Sequence, residues 1–198
     1  EFLKVCETLK SNGVTPIVSG TKTAWPAAAW FAYLNMRVNG PEFHINLMLG
    51  KEKYDDPRVK KAFGYWAALL DKGYFIENAA SYDWQDVLPF MLQEKAAMYL
   101  MGQFVMDSIP AENKADFDFF RFPIIDPAVP IGEDAPTDGF FAAANAPHPE
   151  AAKQFLAFLG SKEAQTYFAG KLQRLPTNTE VDTSGYDPAT LKGIELLK

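Results

Sequence analysis

The sequence has little material for thiol or metal chemistry, with one cysteine and two histidines among 198 residues. Cys6 has no second cysteine with which to form an internal disulfide. It lies on the apolar face of an amphipathic segment, so we expect a buried, unreactive thiol. His44 and His148 have no cysteine, histidine or aspartate at the spacing typical of metal ligands. The sequence therefore predicts no metal site and no cofactor.

Basic clusters, long apolar runs and catalytic motifs are also missing. The net charge is −6 and no cluster of Lys and Arg is present, so we expect no nucleic-acid partner. No apolar run approaches the roughly 20 residues that cross a bilayer. The glycine patterns of nucleotide-binding loops and the GxSxG motif of hydrolases are absent. No catalytic motif is therefore recognised, and no catalytic residue is predicted.

Short apolar runs alternate along the chain with segments of helical periodicity. Pro26 and Gly40 mark the two ends of one predicted helix, and Asp56 is the predicted N-cap of another. This alternation predicts an α/β fold with at least partly parallel strands. Strands are predicted at 14–18, 96–101, 117–124 and 139–145. Helices are predicted at 1–12, 26–39, 57–72, 82–92, 104–109, 149–159, 161–168 and from about 188, with a loop at 41–53.

The aspartates have structural explanations that compete with a functional one. Asp83 and Asp86 lie in the first turn of a predicted helix, where the helix dipole favours acidic side chains. Asp138 follows a long loop and precedes a predicted strand, so it is either a turn residue or a site residue. A glycosidase would need two of the chain's carboxylates to face each other, and their spacing in the sequence does not identify such a pair.

Aromatic residues near turns are the stronger candidates for contact with a ligand. Trp25 precedes Pro26 at a loop-to-helix junction, and Phe104 follows Gly102 at the end of a predicted strand. Open α/β sheets bind ligands at the carboxyl ends of their strands, and a flat aromatic face suits the apolar face of a sugar ring. Each residue has an alternative place in the core, and the sequence leaves Trp84 undecided between the two roles.

Six segments resemble, in the same order, those of one protein family. They are SNGVTPIVSG, the Trp25-Pro26 pair, DDPRVKKAFGYWAALLDKGYF, MLQEKAAMYLMGQF, DGFFAAANAPHPEAAKQFLAFLGSKEAQTYF and LQRLPTN. Together they resemble the bacterial extracellular solute-binding proteins of family 1, the sugar-binding components of ABC importers. Glu94 and Phe104 stand where that family usually has glycine and tryptophan.

The resemblance implies a periplasmic-binding-protein-like fold of type II, in which two α/β lobes enclose a ligand cleft. It assigns 1–121 and 171–198 to the second lobe and 122–170 to a return segment of the first lobe. The chain would then be a fragment that lacks most of the first lobe.

The resemblance also implies a function, which is binding, so we expect a protein that is not an enzyme. A carbohydrate, either a mono- or an oligosaccharide, is captured in the cleft, and the lobes close on it by hinge bending. The closed protein then delivers the sugar to the membrane subunits of an ABC importer. Such a protein is exported, is periplasmic or held at the cell surface as a lipoprotein, and is a monomer at full length.

The same resemblance implies where the ligand binds. Trp25 and Phe104 fall at the positions of cleft-facing aromatic residues. Arg174 falls at a crossing between the lobes, where a cleft-facing polar group is common. The other implied ligand-binding residues are polar or lie at turns, namely Lys22, Thr23, Gln103, Asp138 and Gly139.

Two other functions remain open from the sequence. A solute-binding protein for a polyamine or a peptide-like ligand is compatible with the net charge of −6 and with Asp138. A carboxylate-based glycosidase would need two carboxylates roughly 5–9.5 Å apart across a pocket. Binding assays with sugars and polyamines distinguish the two kinds of solute-binding protein. Turnover of a glycoside would identify the glycosidase.

Overall fold

The structure, a computed structural model, describes residues 1–172 and 174–197. The chain divides into two compact units. Unit 1 comprises Glu1–Met101 and Arg121–Asp134, and unit 2 comprises Gly102–Phe120 together with the residues from Ala135 onward. The polypeptide therefore passes from one unit to the other three times.

Unit 1 is built on a parallel pair of strands. β1 (Thr15–Val18) pairs with β2 (Ala96–Tyr99), and Val18 lies opposite Tyr99 at the carboxyl ends of the two strands. Both strands coincide with predicted ones, and the predicted mixture of helices and parallel strands is confirmed. The helices of this unit are α1 (Phe2–Ser11), α2 (Trp25–Asn39), α3 (Pro41–Met48), α4 (Pro57–Asp71) and α5 (Leu88–Leu92).

The core of unit 1 forms around Trp30 of α2. This side chain is 3% exposed and makes edge-to-face contacts with Phe75 and Phe122, at 5.0 and 5.7 Å between ring centroids. Ile17 of β1 and Cys6 of α1 are buried in the same cluster. Burial raises the pKa of the Cys6 thiol, so the predicted buried thiol is confirmed. Each large apolar side chain buried here stabilises the fold by about 1.5–3 kcal/mol.

A buried arginine attaches an irregular segment to α2. Arg37 is 2% exposed, and its guanidinium donates to the carbonyl oxygens of Phe122 at 3.3 Å and Gly132 at 2.5 Å. It also pairs with Glu133 at 2.8 Å, and Glu133 pairs with Arg121 at 3.1 Å. These bonds satisfy main-chain carbonyl groups that have no partner in a helix or strand. One side chain thereby keeps this segment within unit 1.

The prediction of a loop at 41–53 is wrong for its first part, because Pro41–Met48 form α3. Gly40, with φ of 88°, ends α2 and is followed at once by the proline that begins α3. A helix of eight residues is too short to show a clear period in the sequence. His44 of α3 is buried and hydrogen-bonds Asn35 at 3.1 Å, and its burial lowers the pKa of the imidazole.

The helix predicted at 82–92 is also shorter in the structure, where α5 begins at Leu88. Pro89 lies in its first turn, because a proline in the interior would break a helical hydrogen bond. Asp83 and Asp86 therefore precede the helix, and their predicted place in its first turn is wrong. The Asp83 backbone N–H donates to the Asp86 carboxylate at 2.8 Å.

Glu94 adopts a left-handed conformation between α5 and β2, with φ of 58°. Its backbone N–H donates to the carbonyl of Met91 at 2.9 Å, and that of Lys95 donates to Phe90 at 2.8 Å. Glycine takes this conformation without a steric penalty. Glu94 stands where the solute-binding family usually has glycine. Its side chain therefore introduces backbone strain that a glycine would avoid.

Unit 2 consists of helices and irregular segments in its described residues. In α6, none of the residues is buried. Asp187 caps α8, because its side chain accepts the backbone N–H of Thr190 at 2.8 Å. The elements are two 3-10 helices, Gln103–Ser108 and Ala111–Asp116, and the helices α6 (Pro149–Leu159), α7 (Lys162–Leu172) and α8 (Pro188–Leu196).

The strands predicted at 117–124 and 139–145 are not formed among the described residues. Residues 135–145 are exposed throughout, and Phe141 is 91% exposed. An apolar or alternating segment becomes a strand only when a neighbouring strand accepts its main-chain hydrogen bonds. The described part of the chain offers these two segments no such neighbour.

Candidate functional site

The carboxyl ends of β1 and β2 lie side by side, since Val18 and Tyr99 are paired. The loop 19–24 leaves β1 at this point and leads into α2. Ligand sites of α/β sheets form beyond the carboxyl ends of the strands. The structure brings three predicted site residues together in this loop and the first turn of α2, namely Lys22, Thr23 and Trp25.

Two backbone hydrogen bonds attach this loop to the segment that precedes α5. The N–H groups of Thr21 and Lys22 donate to the carbonyl oxygens of Ala79 and Tyr82, each at 2.9 Å. Main-chain bonds of this kind fix the path of a loop independently of its side chains. These bonds therefore hold the loop in place without a ligand.

Asp83 is the side-chain anchor of the loop. The Thr23 hydroxyl donates to Asp83 Oδ1 at 2.8 Å, and the Trp84 backbone N–H donates to the same oxygen at 3.0 Å. The first of these bonds contributes most to lowering the pKa of the Asp83 carboxyl, so this group stays ionised at neutral pH. A Cβ on Gly20 would lie 2.1 Å from the Asp83 carbonyl oxygen, so the close approach of the two segments requires glycine.

Trp25 and Trp84 form a corner beside this anchor. Their ring centroids are 6.3 Å apart and the rings are inclined at 66°, an edge-to-face arrangement. Trp25 is 43% exposed, so it is not a core residue. The carbonyl of Trp84 accepts the hydroxyl of Tyr99, the last residue of β2, at 2.9 Å, and burial raises the pKa of that hydroxyl. The corner is thus attached to the end of the sheet.

Unit 2 has its own cluster of predicted site residues. The Arg174 guanidinium donates from Nε to Asp107 at 2.8 Å and forms a second contact with the same carboxylate at 2.8 Å. Its carbon centre lies 5.3 Å from the centre of the Phe104 ring. A Cβ on Gly102 would come within 2.5 Å of that ring, so the glycine allows the ring to fold back on the chain. The aromatic residue is therefore stacked on a paired arginine.

The side chain of Gln103 contacts helix α8. Its Nε2 donates to the hydroxyl of Thr190 at 2.6 Å, and Thr190 is fully buried. A Cβ on Gly193 would lie 3.3 Å from the Gln103 side chain, so α8 packs closely here. This arrangement gives Gln103 a structural contact in addition to the ligand contact that the sequence predicts.

Asp138 and Gly139 lie in the exposed segment 135–145. A Cβ on Gly139 would lie 2.8 Å from the Phe141 ring. The strand that was predicted to present these two residues is not formed, so their predicted role in binding stays a prediction.

Sequence reasoning missed the arrangement of Asp83, Trp84 and Tyr99. Asp83 was assigned to a helix turn, and Tyr99 was treated only as part of a strand. The proline at position 89 is the signal that could have corrected the first assignment, because it moves the start of the helix past both aspartates. The contact between Tyr99 and Trp84 depends on tertiary structure and has no counterpart in a local pattern.

The two clusters offer stacking, hydrogen bonding and ion pairing. No group of three or more His, Cys, Asp or Glu side chains in the described ranges is arranged to hold a metal ion. A separate search of the same residues finds no helix with both the length and the apolar character that a membrane span requires.

Comparison with known proteins gives three concordant results. The family described as bacterial extracellular solute-binding protein matches residues 1–166. An ABC transporter extracellular-binding protein of Pyrococcus horikoshii is 31% identical over 190 residues, which are 95% of this chain and 42% of that protein. The bacterial solute receptor AcbH, described as having an exclusive substrate preference for β-D-galactopyranose, is 32% identical and superposes with a TM-score of 0.89. The superposition covers 98% of this chain and 50% of the receptor chain.

A chitin oligosaccharide binding protein shares the fold at lower identity, with a TM-score of 0.82 and 22% identity over 98% of this chain and 50% of its own. The chain thus spans about half the length of the proteins that it matches. These likenesses confirm the fold class predicted from the six segments, a part of the type II periplasmic-binding-protein fold. They also assign the chain to a group of binding proteins that act outside the cytoplasm. The chain belongs to the bacterial extracellular solute-binding protein family.

Proposed function

We propose that this chain is part of a protein that captures a carbohydrate outside the cytoplasm and delivers it to an ABC importer. No bond is made or broken, because the task is reversible capture and release. The observation that carries the proposal is the half-exposed Trp25 ring beside Lys22 and Thr23, at the carboxyl ends of the parallel strands. An aromatic face of this kind suits the C–H face of a pyranose ring.

The similarity to AcbH supports a neutral hexopyranose as the ligand class, since that receptor is described by its preference for β-D-galactopyranose. Phe104 and Arg174 of unit 2 are further proposed contacts, and so are Gln103, Asp138 and Gly139. In the complete protein, the two lobes close around the sugar by hinge bending. The closed form, periplasmic or anchored as a lipoprotein, is then recognised by the membrane subunits of the importer.

The lobe assignment is part of the same proposal. Residues 1–121 and 171–198 belong to the second lobe, and 122–170 belong to the first. The two compact units divide the chain differently, because Arg121–Asp134 packs with the first 101 residues. The lobes are a property of the complete protein, so a structure of the full-length chain is the measurement that decides the boundaries.

The ligand class is tested by a thermal-shift panel on the full-length protein. The panel contains D-galactose, other neutral monosaccharides, chitin oligosaccharides, a uronic acid, spermidine and a short peptide. A ligand present at 100 times its dissociation constant stabilises the folded state by about 2.7 kcal/mol, which is readily detected. We expect a shift with at least one neutral sugar. Stabilisation by spermidine or by the peptide alone would show that the protein binds a cationic or peptide-like solute instead.

The Trp25 contact is tested by calorimetric titration of the Trp25→Ala variant. Loss of the stacking face lowers sugar affinity by about 1–3 kcal/mol, or roughly 5- to 150-fold. Tyr65→Ala is the matched control, because Tyr65 is an aromatic residue of similar exposure, at 41%, and lies on α4, which contributes no residue to the loop 19–24. Equal losses of affinity in the two variants would contradict the assignment of Trp25 to the site.

A further inference from the structure

The Asp83 carboxylate has one occupied and one unoccupied oxygen among the described residues. Oδ1 accepts two hydrogen bonds, from the Thr23 hydroxyl at 2.8 Å and from the Trp84 backbone N–H at 3.0 Å. Oδ2 accepts none from the described residues. Two donors on one oxygen fix the plane of the carboxylate, so the direction of Oδ2 is set before a ligand arrives. A pre-oriented acceptor loses little entropy when it binds a hydroxyl group.

The aromatic corner stands directly beside this acceptor. Trp84 follows Asp83 in the chain, and its ring lies 6.3 Å from that of Trp25 in an edge-to-face pair. The backbone of Trp84 is held on both sides, by Asp83 Oδ1 and by the Tyr99 hydroxyl at 2.9 Å. An aromatic ring of the corner and an anionic hydrogen-bond acceptor thus belong to consecutive residues, Trp84 and Asp83.

This pairing corresponds to the two kinds of surface on a pyranose. The ring C–H groups form an apolar face, and the hydroxyl groups around the edge donate hydrogen bonds. Stacking fixes the plane of the sugar, and a carboxylate at the edge selects the hydroxyl that lies within its reach. A charged acceptor forms a stronger bond to a hydroxyl than a neutral one does.

We infer that Asp83 is a specificity-determining residue of the proposed sugar site, that it accepts a ring hydroxyl through Oδ2, and that Trp84 positions Trp25 for stacking. The inference rests on the proposed function. It assigns to Asp83 the choice among ring hydroxyl groups, because only a hydrogen-bond donor satisfies the Oδ2 acceptor. The structural role of Asp83 in holding the loop does not by itself produce this selectivity.

The experiment compares deoxy sugars on the full-length protein. Calorimetry first measures wild-type affinity for D-galactose and for its monodeoxy derivatives, or for the corresponding series of whichever neutral sugar binds best. We expect one derivative to bind about 10- to 100-fold more weakly than the parent, because it lacks the hydroxyl that Asp83 accepts. In Asp83→Ala, the parent sugar and that derivative bind equally, while the discrimination among the other derivatives is retained.

Thr23→Val separates recognition from loop anchoring. This variant removes the hydroxyl bond to Asp83 but keeps the carboxylate, so it lowers all affinities in parallel and keeps the preference for the parent sugar. If Asp83→Ala also lowers every affinity in parallel, Asp83 is only an anchor and the inference is overturned. If the wild type binds no neutral sugar at all, the proposed function itself fails, and the inference with it.

The positioning role of Trp84 is tested by rescue. Trp84→Leu keeps both backbone hydrogen bonds and removes the aromatic edge that supports Trp25, and we expect a loss of affinity of about 3- to 10-fold. Trp84→Phe restores an aromatic edge and recovers most of the affinity. Equal losses in both variants, with unchanged melting temperatures, would overturn the positioning role.

Discussion

The two units differ sharply in how they use aromatic side chains. Trp30 in unit 1 is 3% exposed and is enclosed by other rings, whereas Phe141 and Tyr167 in unit 2 are 91% and 72% exposed. All three hydrophobic clusters found among the described residues belong to unit 1. In α6 the sequence is strongly amphipathic, yet no residue of the helix is buried.

The difference shows that a core-like sequence pattern specifies a surface to be covered and does not specify what covers it. Unit 1 buries part of its patterned faces, including Trp30, Val59 and Leu69, against its own strands and helices. Unit 2 leaves its patterned faces exposed in a chain that spans about half the length of its relatives. We attribute the missing cover to the remainder of the proposed two-lobe protein, since exposed apolar patches of this kind normally face a partner surface.

The largest expected contrast between the units comes from removing one aromatic side chain in each. Trp30→Ala leaves a cavity in the core and lowers the free energy of unfolding by about 3–5 kcal/mol. Phe141→Ala in this same chain changes it by no more than about 0.5 kcal/mol, because the side chain is already exposed. Urea denaturation of the 198-residue chain measures both values. Similar losses in the two variants would remove the distinction between the units.

A smaller contrast is expected between the ion pairs of the two units. Arg37→Met leaves the carbonyl oxygens of Phe122 and Gly132 without their donor and lowers the free energy of unfolding by about 3 kcal/mol. Lys192→Met removes the exposed pair with Asp118 and changes stability little. Hydrogen exchange provides a second measurement, because only the Arg37 variant releases residues 121–134. Retained protection of that segment would contradict its attachment through Arg37.

The buried His44 of unit 1 makes part of the stability depend on pH. Burial lowers the pKa of His44 below its ordinary value of 6.5, so the unfolded chain takes up the proton more readily than the folded one. The contribution of neutral His44 to the free energy of unfolding is therefore fully present above about pH 6.5, and it is lost as the pH falls below that value. His44→Gln flattens the change in stability between pH 7 and pH 5, and His148→Gln serves as the matched substitution at an exposed position of unit 2. Denaturation midpoints at the two pH values provide the check.

The smallest effect is expected at the N-cap of α4. The Asp56 side chain accepts the backbone N–H of Arg58 at 2.7 Å, and its bonds to the Arg58 side chain lower the pKa of the carboxyl to about 2. The ordinary value is 3.8, so this contribution is present above pH 4 and is lost as pH falls towards 2. Carboxyl chemical shifts followed by NMR report the midpoint. A midpoint near 3.8 would show that the cap is not populated in solution.

The elements that the sequence predicted correctly are those with local signals. Pro26, Asp56 and Pro57 begin helices because a fixed φ and a side-chain cap act within one turn. β1 and β2 were predictable because each belongs to a short, largely apolar run that is bounded by turn or polar residues. The failed strands at 117–124 and 139–145 depend on a neighbour, and no local pattern reveals whether that neighbour is present.

The candidate site divides in the same way. Trp25 was predictable because a tryptophan before a proline at a loop-to-helix junction is a local feature. Asp83 acquires its role through the Thr23 hydroxyl, which is 60 positions away in the chain. Trp84 acquires its role through Tyr99, 15 positions away. Contacts of this kind follow from the completed fold and are therefore beyond the reach of sequence patterns.

The pairing of Val18 with Tyr99 has a consequence for the fidelity of folding. Successive side chains of a strand point to opposite faces, so a slip of β2 by one residue would turn the Tyr99 hydroxyl away from Trp84. A slipped molecule would keep its helices and its two strands and would have a nearly normal circular dichroism spectrum. It would nevertheless lack the arrangement on which the proposed sugar site depends, so a count of binding sites is the measurement that would reveal a slipped fraction.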